Sequence, residues 1–199
     1  MYVIQQGLTL SHRYHCLFCH GYEERGADSA GLLALGHLEM SMMAIFVSRF
    51  ANRLAKKVTI YTNNNVVAAE SIHSVLADLK PTSKTAQNVT IETRAITKFV
   101  KKDTQNAAME VHFDDGTFTT EGFLAHAPNF ELNGNWDKKL GLEVLSSGQI
   151  KVNAPFNETS MQGVFAAGDC ALVQAAVAPA LGSAAAVAAG LCAQLGAED

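Results

Sequence analysis

An apolar run, an amphipathic stretch and a second apolar run follow one another in the first third of the chain, and this order constrains the fold most. The three segments have the sequences AGLLAL, EMSMMAIFVSRFANRL and KVTIYT. They predict a buried strand, a helix and a second strand, and a further helix is predicted to end before Pro81. These four elements are expected over residues 30–35, 39–54, 57–62 and 66–79. Because a strand, a helix and a strand in this order form a βαβ unit with parallel pairing, the sequence predicts an α/β fold.

The spacing of apolar residues changes in the middle of the chain, where apolar and polar residues alternate. Alternation predicts half-buried antiparallel strands, so we expect a β-meander here. Its strands are predicted over residues 88–93, 95–100, 108–113 and 118–124, with a turn at Asp114-Asp115-Gly116 before the last strand. We expect the chain to leave the meander between residues 123 and 126, which divides it into domains of residues 1–124 and 125–199.

The last part of the chain contains a long stretch without charge. Residues 163–167 (GVFAA) predict a buried strand that ends in Gly168-Asp169, and residues 170–197 contain no charged side chain. This stretch is rich in alanine and is interrupted by Pro179 and by glycines. A buried helix packed on a cofactor or on a sheet is therefore favoured over a helix that spans a membrane.

Composition excludes several functional classes. A chain of 199 residues with 48 % hydrophobic residues can bury a substantial core. Its net charge of −4 and pI near 6.0 provide no basic surface for nucleic acid. The first residues, MYVIQQ, lack the basic and apolar regions of a secretory signal. Four cysteines in a chain of this length do not make a disulfide framework, so we expect a cytoplasmic protein with no membrane or nucleic-acid partner.

Two of the four cysteines form a Cys-x-x-Cys motif within the sequence HCLFCH. Cys16 and Cys19 are spaced to close a small disulfide ring, and such spacing commonly makes one thiol react as a thiolate. His15 and His20 flank the pair and are candidate proton acceptors near neutral pH. Zinc binding by these four residues is an alternative, but the sequence has no second pair of ligands. A redox role is favoured over zinc binding and over an inert buried pair.

The Gly168-Asp169 pair is a second candidate site. A strand of small residues that ends in Gly-Asp places a carboxylate at the carboxyl end of the strand, where open α/β sheets bind ligands. Asp169 is therefore a candidate acceptor for a ribityl or ribose hydroxyl. The alternative is a Gly-Asp turn that only closes a core strand, and for this motif alone the alternative is slightly favoured.

Together the motifs resemble the low-molecular-weight thioredoxin reductase family, the class II pyridine nucleotide-disulfide oxidoreductases. The resemblance rests on the order of the Cys-x-x-Cys motif, the βαβ unit, Ala-Pro-Asn at residues 127–129, and GVFAAGD followed by a small-residue helix. It runs from about residue 14 to the end of the chain. Within the superfamily, HCLFCHGYEERG resembles the fungal dithiol oxidases of epidithiodiketopiperazine toxin clusters, of the gliotoxin and sirodesmin type.

This resemblance implies a fold and a set of partners. The fold would be a Rossmann-like NADPH-type domain with a β-meander, followed by the carboxyl-terminal segment of a Rossmann-like FAD-binding domain. The activity would be closure of a disulfide across a reduced dithiol product, with FAD as electron acceptor. The implied partners are a small-molecule dithiol, molecular oxygen and a second copy of the chain in a homodimer.

The resemblance also implies roles for the residues of the Cys-x-x-Cys motif. Cys16 would exchange with the substrate, and Cys19 would lie near the flavin and pass electrons to it. Ordinary thioredoxin reductases have an aspartate at the position of His20. His20 is therefore the candidate acid or base, and His15 is the second candidate.

A second group of residues would contact the flavin. In the Gly168-Asp169 pair, the Asp169 carboxylate would bind the ribityl chain of FAD. Backbone amides near Gln174 and Ala175 would face the pyrimidine side of the flavin ring at the start of the last helix. Such a helix terminus stabilises an anionic reduced flavin.

The sequence departs from the family where NADPH would bind. Relatives that use NADPH have a Gly-x-Gly-x-x-Gly/Ala turn after the first strand of the βαβ unit, but this chain has ALGHLE with the single glycine Gly36. Glu39 places a carboxylate near the start of the helix, where a phosphate would bind. At residues 61–65 the sequence YTNNN has neither the arginines that bind a 2′-phosphate nor an acidic ligand for a ribose. NADPH is therefore doubtful as a substrate, and oxygen is expected as the final electron acceptor.

The second departure is in front of the Cys-x-x-Cys motif. Family members have a strand and a glycine-rich turn there that bind the ADP half of FAD, and this chain has no such turn before Cys16. We therefore expect the amino-terminal FAD-binding part to be missing and the chain by itself to hold FAD weakly. A truncated gene product, a misplaced start codon and a decayed paralogue remain open. Two alternative functions also remain: an NADPH-dependent thioredoxin reductase, and a non-catalytic partner of a full-length relative.

Overall fold

The computed structural model describes residues 13–14, 16–102, 108–127 and 131–197, with only the backbone for residues 13, 18 and 20. The chain forms two compact units, Met1–Pro128 and Asn129–Asp199. The strands of the first unit are β1 (Arg13–Tyr14), β2 (Ala27–Leu33), β3 (Ala55–Tyr61), β4 (Val89–Glu92), β5 (Ile96–Lys102), β6 (Ala108–Phe113), β7 (Phe118–Glu121) and β8 (Phe123–His126). Its helices are α1 (Leu17–His20), α2 (Ser41–Leu54), α3 (Val66–Ala77) and α4 (Lys84–Asn88). Single 3-10 turns follow α1 at Gly21–Glu24 and precede α2 at Gly36–Glu39.

Five strands of the first unit form a parallel sheet in the order β1-β8-β2-β3-β4. Leu32 at the centre of the sheet pairs with Ile60 on one side and with Ala125 on the other. Helix α2 buries Ala44, Ile45 and further residues along one face, which packs in the same core as the sheet. The predicted α/β fold with a parallel βαβ unit is confirmed. Because every strand of the sheet runs in the same direction, all their carboxyl ends lie on one edge.

Strand β4 corrects the prediction that residues 88–93 belong to the meander. It pairs with β3 in parallel, with Val58 opposite Val89 and Ile60 opposite Ile91. It is the last strand on its side of the sheet, so it does not pair with the meander. Val89 and Ile91 pack on the core, whereas Thr90 between them is exposed. An edge strand of this kind alternates as an antiparallel strand does, and this misled the prediction. The meander itself consists of β5, β6 and β7, which pair in antiparallel order.

The segment predicted as one strand over residues 118–124 is two strands separated by Gly122. The Gly122 N–H donates to the carbonyl of Ser29, 3.0 Å away, and a Cβ at Gly122 would lie 3.0 Å from that oxygen. The chain leaves the meander here and enters the parallel sheet as β8, between β1 and β2. Residues 125 and 126 therefore belong to the first unit, and the units divide after Pro128 rather than after residue 124.

The second unit contains helix α5 (Trp136–Leu140), a 3-10 turn at Gly168–Cys170 and helix α6 (Val177–Leu195). The strand predicted over residues 163–167 is wrong. Phe165 makes one isolated bridge to Glu158, and the Ala166 N–H donates to Asn157, 3.1 Å away, in the same loop. No strand of the second unit lies beside this segment among the described residues, so no ladder forms.

The long helix α6 forms as predicted, but the prediction that it is buried is wrong. Gly190 packs so tightly that a Cβ there would lie 2.6 Å from Phe156 and 2.8 Å from Phe165. The rest of the helix is largely exposed, including 68 % of Leu181. By length and composition alone, this is the one helix among the described residues that could cross a membrane.

Candidate redox and cofactor sites

The two cysteines of the Cys-x-x-Cys motif form a disulfide bond in the first unit. Their Cα atoms are 5.4 Å apart, and the Cys19 N–H donates to the carbonyl of Cys16. Helix α1 follows β1 almost directly, so the disulfide lies at the carboxyl edge of the parallel sheet, where open α/β sheets bind ligands. Cys16 is buried, with 8 % of its surface exposed, and Cys19 is half-buried. In this oxidised state the sulfurs are bonded to each other and do not act as zinc ligands.

The segment that carries the disulfide is packed against the end of helix α2. A Cβ at Gly21 would lie 3.2 Å from both Leu17 and Leu54, so only glycine fits there without movement of a neighbour. The Gly26 N–H donates to the carbonyl of Leu54, 2.8 Å away. The end of α2 therefore fixes the chain that follows the two cysteines.

The two histidines predicted as acid or base have no described side chain. His15 lies outside the described residues, and His20 is described only as the last backbone position of α1. Their proposed roles therefore stay predictions.

The turn after β2, where a dinucleotide phosphate would bind, is occupied by a side chain of the protein. Gly36 adopts a left-handed φ of 57°, and its N–H donates to Oε1 of Glu39 over 3.2 Å. Anions bind such turns through backbone N–H groups near a helix start. The Glu39 carboxylate thus takes the place of an anion at the Gly36 amide, and the residues of this turn do not fit a pyrophosphate.

The three asparagines after β3 have structural roles. Asn65 is the N-cap of α3, and its Oδ1 accepts the Ala68 N–H over 3.0 Å. Asn63 Oδ1 accepts the Ile96 N–H over 2.7 Å, which joins the end of β3 to the start of the meander. Asn63 and Asn64 both have positive φ angles, of 49° and 64°, which asparagine tolerates better than most residues. The asparagines of this turn therefore cap a helix and form a tight loop, at the position where NADPH-dependent relatives are expected to carry arginines.

The cation that follows strand β4 is already paired. Arg94 binds the carboxylates of Glu92, at 2.6 Å, and Asp115, at 3.0 Å, and lies 3.9 Å above the ring of Phe113. Hydrogen bonds from Thr117, followed by the one from Arg94, lower the pKa of Asp115 to about 2. Both carboxylates are therefore ionised at neutral pH, and they neutralise the positive charge of Arg94 that a 2′-phosphate would need.

The second unit carries the residues predicted to contact a flavin. Gly168 has a φ of 70°, and its N–H donates to Oγ of Ser183, 3.0 Å away. The Ser183 hydroxyl in turn donates to the carbonyl of Ala180, so the serine ties the Gly-Asp turn to α6. The carboxylate of Asp169 is exposed and makes no hydrogen bond or ion pair with another described residue. The chemistry of this carboxylate fits hydroxyl groups of a ribityl chain.

Gln174 and Ala175 lie just before helix α6, which begins at Val177. Gln174 is exposed and Ala175 is half-buried. The N-cap, Ala176, makes no side-chain hydrogen bond to the helix. The first amides of a helix have no intrahelical acceptor, so these N–H groups are available to an anionic ligand. This donor set fits the electron-rich side of a flavin ring.

Two side-chain pairs of the first unit were missed by the sequence analysis. The Tyr14 hydroxyl donates to Glu24 over 2.6 Å and joins the two sides of the disulfide segment. The Tyr61 hydroxyl donates to Glu121 in the interior, where Glu121 is 1 % exposed. No motif or spacing marks either pair, because the partners are brought together only by the fold.

The chain is similar to known proteins of one family over most of its length. Residues 40–189, most of the chain, match the family described as pyridine nucleotide-disulphide oxidoreductase. The chain belongs to this family. The family is one of oxidoreductases, and the matched residues include the first two thirds of helix α6. Membership therefore favours the view of α6 as part of an enzyme fold.

Individual relatives support the same assignment. The chain is 39 % identical over 183 residues to a protein named thioredoxin reductase aclD from Aspergillus oryzae, covering 92 % of this chain and 55 % of the relative. It is 38 % identical to thioredoxin reductase sirT from Leptosphaeria maculans, covering 80 % of this chain and 48 % of that protein. The crystal structure of an oxidoreductase from Agrobacterium tumefaciens superposes with a TM-score of 0.71 at 27 % identity, covering 93 % and 56 % of the two chains. The chain thus spans about half the length of these relatives.

Proposed function

We propose that this chain is part of a flavin-dependent dithiol oxidase that closes a disulfide in a small molecule. The observation that carries the proposal is the Cys16–Cys19 disulfide at the carboxyl edge of a sheet whose nucleotide turn is capped by Glu39. The chain has a disulfide-bonded cysteine pair that suits redox chemistry, whereas the residues after β2 and β3 suit a nicotinamide dinucleotide poorly. Oxidation of a dithiol requires a redox-active cysteine pair and does not require a site for a nicotinamide dinucleotide.

The chemistry of the pair is thiol–disulfide exchange. A substrate thiolate attacks one protein sulfur and forms a mixed disulfide, with Cys16 as the proposed target and Cys19 as the leaving thiolate. The second thiol of the substrate then attacks the substrate sulfur of the mixed disulfide and displaces Cys16 as a thiolate. The substrate leaves with one disulfide bond, and the protein keeps two thiols. Because Cys16 is 8 % exposed, this assignment predicts that substrate binding opens the segment around it.

Cys16 is the N-cap of helix α1 and Cys19 lies within the helix, so the two sulfurs are carried on one short element. His20 and His15 are the proposed proton acceptors for the substrate thiols, since a histidine titrates near neutral pH. FAD, when bound, would supply a two-electron acceptor for the protein dithiol that oxygen can reoxidise. Asp169 and the amides near Gln174 would hold its ribityl chain and its ring.

The substrate class and the setting are also part of the proposal. HCLFCHGYEERG resembles the fungal dithiol oxidases of epidithiodiketopiperazine clusters, so the proposed substrate is a reduced dithiol of that type of secondary metabolite. The proposed context is toxin biosynthesis or self-protection, by a cytoplasmic homodimer with oxygen as final acceptor. Relatives from Aspergillus oryzae and Leptosphaeria maculans are named thioredoxin reductases.

The proposal is tested in two stages with dithiothreitol as the dithiol. In the first stage, oxidised protein without flavin should convert one equivalent of dithiothreitol to its cyclic disulfide in the absence of air. Cys16→Ser should abolish this conversion, whereas Cys192→Ser, which changes an exposed free thiol, should not affect it. In the second stage, protein loaded with FAD should form hydrogen peroxide and consume no NADPH. Absence of exchange in the first stage would favour the non-catalytic partner.

The second candidate function is an NADPH-dependent thioredoxin reductase. The names of the relatives support it, and its requirements differ from those of the oxidase. Flavin-loaded protein should then reduce thioredoxin with stoichiometric consumption of NADPH. Such a result would replace the oxidase, because the protein dithiol would then donate electrons to thioredoxin, whereas in the oxidase the protein disulfide accepts electrons from the substrate.

A further inference from the structure

We propose that the hydrogen bond between Tyr14 and Glu24 is a positioning contact that makes the Cys16–Cys19 disulfide harder to reduce. The Tyr14 hydroxyl donates to Oε1 of Glu24 over 2.6 Å, across ten residues of sequence. Both cysteines lie between these two residues. The inference rests on the proposed redox role of the pair and assigns a function to two further residues.

The two halves of the disulfide segment are fixed to different parts of the first unit. Before the cysteines, Tyr14 pairs with Ala125 in the sheet, and its ring contacts that of Phe123 edge-on, with centroids 6.0 Å apart. After the cysteines, the chain is fixed to Leu54 at the end of helix α2, which accepts the Gly26 N–H. The strand and the helix end thus hold the two halves separately.

The Tyr14–Glu24 hydrogen bond joins these two halves beside the disulfide. It does not involve the sulfurs, so it can still form when the covalent bond between them is broken. In the reduced protein it therefore limits how far the two thiols move apart. Disulfide formation between two thiols of one chain depends on their effective concentration, which rises when their separation is restricted.

The two bonds are coupled, and the coupling is reciprocal. If the disulfide brings Tyr14 and Glu24 together, their hydrogen bond favours the disulfide by the same factor. A hydrogen bond to a carboxylate is one of the stronger single contacts, but this one is only partly buried and is only partly lost on reduction. We therefore expect its removal to lower the equilibrium constant for disulfide formation about three- to tenfold. A tenfold change corresponds to a reduction potential about 30 mV less negative.

The test is a redox titration of the purified 199-residue protein in glutathione buffers. At equilibrium, one protein disulfide and two glutathione molecules exchange with one protein dithiol and one oxidised glutathione. Free thiols are alkylated, and the protein is cut with trypsin. Cleavage after Arg13 and Arg25 releases residues 14–25, which contain Cys16 and Cys19 and no other cysteine. The alkylated fraction of this peptide reports the state of the pair directly.

Tyr14→Phe keeps the ring that packs on Phe123 and removes only the hydroxyl. Its matched control is Tyr22→Phe in the same segment, because Tyr22 is 69 % exposed and its hydroxyl has no hydrogen-bond partner among the described residues. Tyr14→Phe should lower the equilibrium constant for disulfide formation about three- to tenfold. Tyr22→Phe should leave this constant within about twofold of the wild-type value. Glu24→Gln keeps an acceptor oxygen and should give an intermediate value.

A second pair of variants covers the case in which Tyr14→Phe does not fold. Glu24→Ala should shift the equilibrium in the same direction, whereas Glu23→Ala, at an exposed neighbouring carboxylate, should not. Unchanged equilibrium constants in both Tyr14→Phe and Glu24→Ala would overturn the positioning role. A wild-type pair that stays reduced in oxidising buffers would instead overturn the proposed function. A purely structural contact would lower the unfolding midpoint and leave the redox equilibrium unchanged.

Discussion

Replacement of Glu39 tests how this chain treats dinucleotides. The carboxylate Oε1 accepts the N–H of Gly36, the amide that would face a pyrophosphate. A bound phosphate would have to displace this oxygen from the amide. It would also bring its own negative charge close to the displaced carboxylate. Both effects oppose binding, and two substitutions separate them: Glu39→Gln removes the charge and keeps an acceptor, and Glu39→Ala removes both.

The magnitudes follow from the geometry and exposure of the side chain. Glu39 is exposed, so the repulsion between two unit charges about 4 Å apart has its value in water, roughly 1 kcal/mol. A hydrogen bond of this kind contributes about 0.5–1.5 kcal/mol. Glu39→Gln should therefore bind NADPH roughly fivefold more tightly than wild type, and Glu39→Ala roughly ten- to seventyfold more tightly.

The assay is calorimetric titration of NADPH into each protein at low ionic strength, where charge repulsion is least screened. Glu70→Gln is the control, because it removes the same charge at an exposed position of helix α3. The gain from Glu39→Gln should diminish in high salt, and the further gain from Glu39→Ala should not. Tight micromolar binding by the wild type, or equal affinities of all four proteins, would show that Glu39 does not close the turn.

Three further predictions concern the interior and the disulfide. Tyr61→Phe should lower the free energy of unfolding by about 1–3 kcal/mol at pH 7, because the buried Glu121 carboxylate loses its hydrogen-bond donor. Burial and the Glu121 carboxylate raise the pKa of Tyr61, so the Tyr61 hydroxyl contributes fully to the free energy of unfolding below pH 10, and this contribution is lost as the pH rises further. In urea unfolding, the difference in stability between wild type and Tyr61→Phe should therefore become smaller above pH 10. Gly31→Ala should lower the free energy of unfolding by about 1–3 kcal/mol and thereby the urea midpoint, because the new Cβ would lie 2.9 Å from the Tyr61 ring and 2.4 Å from a leucine methyl of β8. Gly182→Ala meets no atom within 4 Å, and equal midpoints of the two variants would contradict this prediction. In flavin-loaded protein, Cys16→Ser should abolish dithiol oxidation and Cys19→Ser should also block flavin reduction; wild-type turnover in both would remove the pair from the mechanism.

The local pattern of apolar residues predicted most of the helices and strands. Strand β6 was predicted at its observed bounds, and helix α2 began two residues later than expected, at Ser41. Strand partners were harder to predict. Strand β4 alternates because it lies at the edge of the sheet, and the period of a strand does not reveal the direction of its neighbour. The switch of sheet at Gly122 was missed because both flanking segments, FTTE and FLAH, contain residue types that favour strands, so they were taken as one strand.

The candidate site was predicted unevenly for a similar reason. The Cys-x-x-Cys pair and the loss of the glycine turn at Gly36 are properties of residues adjacent in sequence, so they are visible without a structure. The contact of Glu39 with Gly36 also spans only three residues, and its carboxylate was recognised as opposing a phosphate. The link from Tyr14 to Glu24 depends on the path of the chain around the disulfide. No spacing rule predicts such a contact.

The positions of the two features on the sheet bear on the direction of electron flow. The disulfide follows β1 and the turn at Gly36 follows β2, with β8 between these strands on the same sheet edge. Neighbouring strands are about 4.8 Å apart, so the ends of β1 and β2 lie roughly 10 Å from each other. A reductase would use this edge both to accept reducing equivalents from a nucleotide and to pass them to a substrate disulfide. The Glu39 carboxylate on the amide of Gly36 opposes the first of these two steps and leaves the disulfide unaffected. In the proposed oxidase, electrons that enter the pair from a dithiol therefore leave through an acceptor other than a nucleotide at this turn.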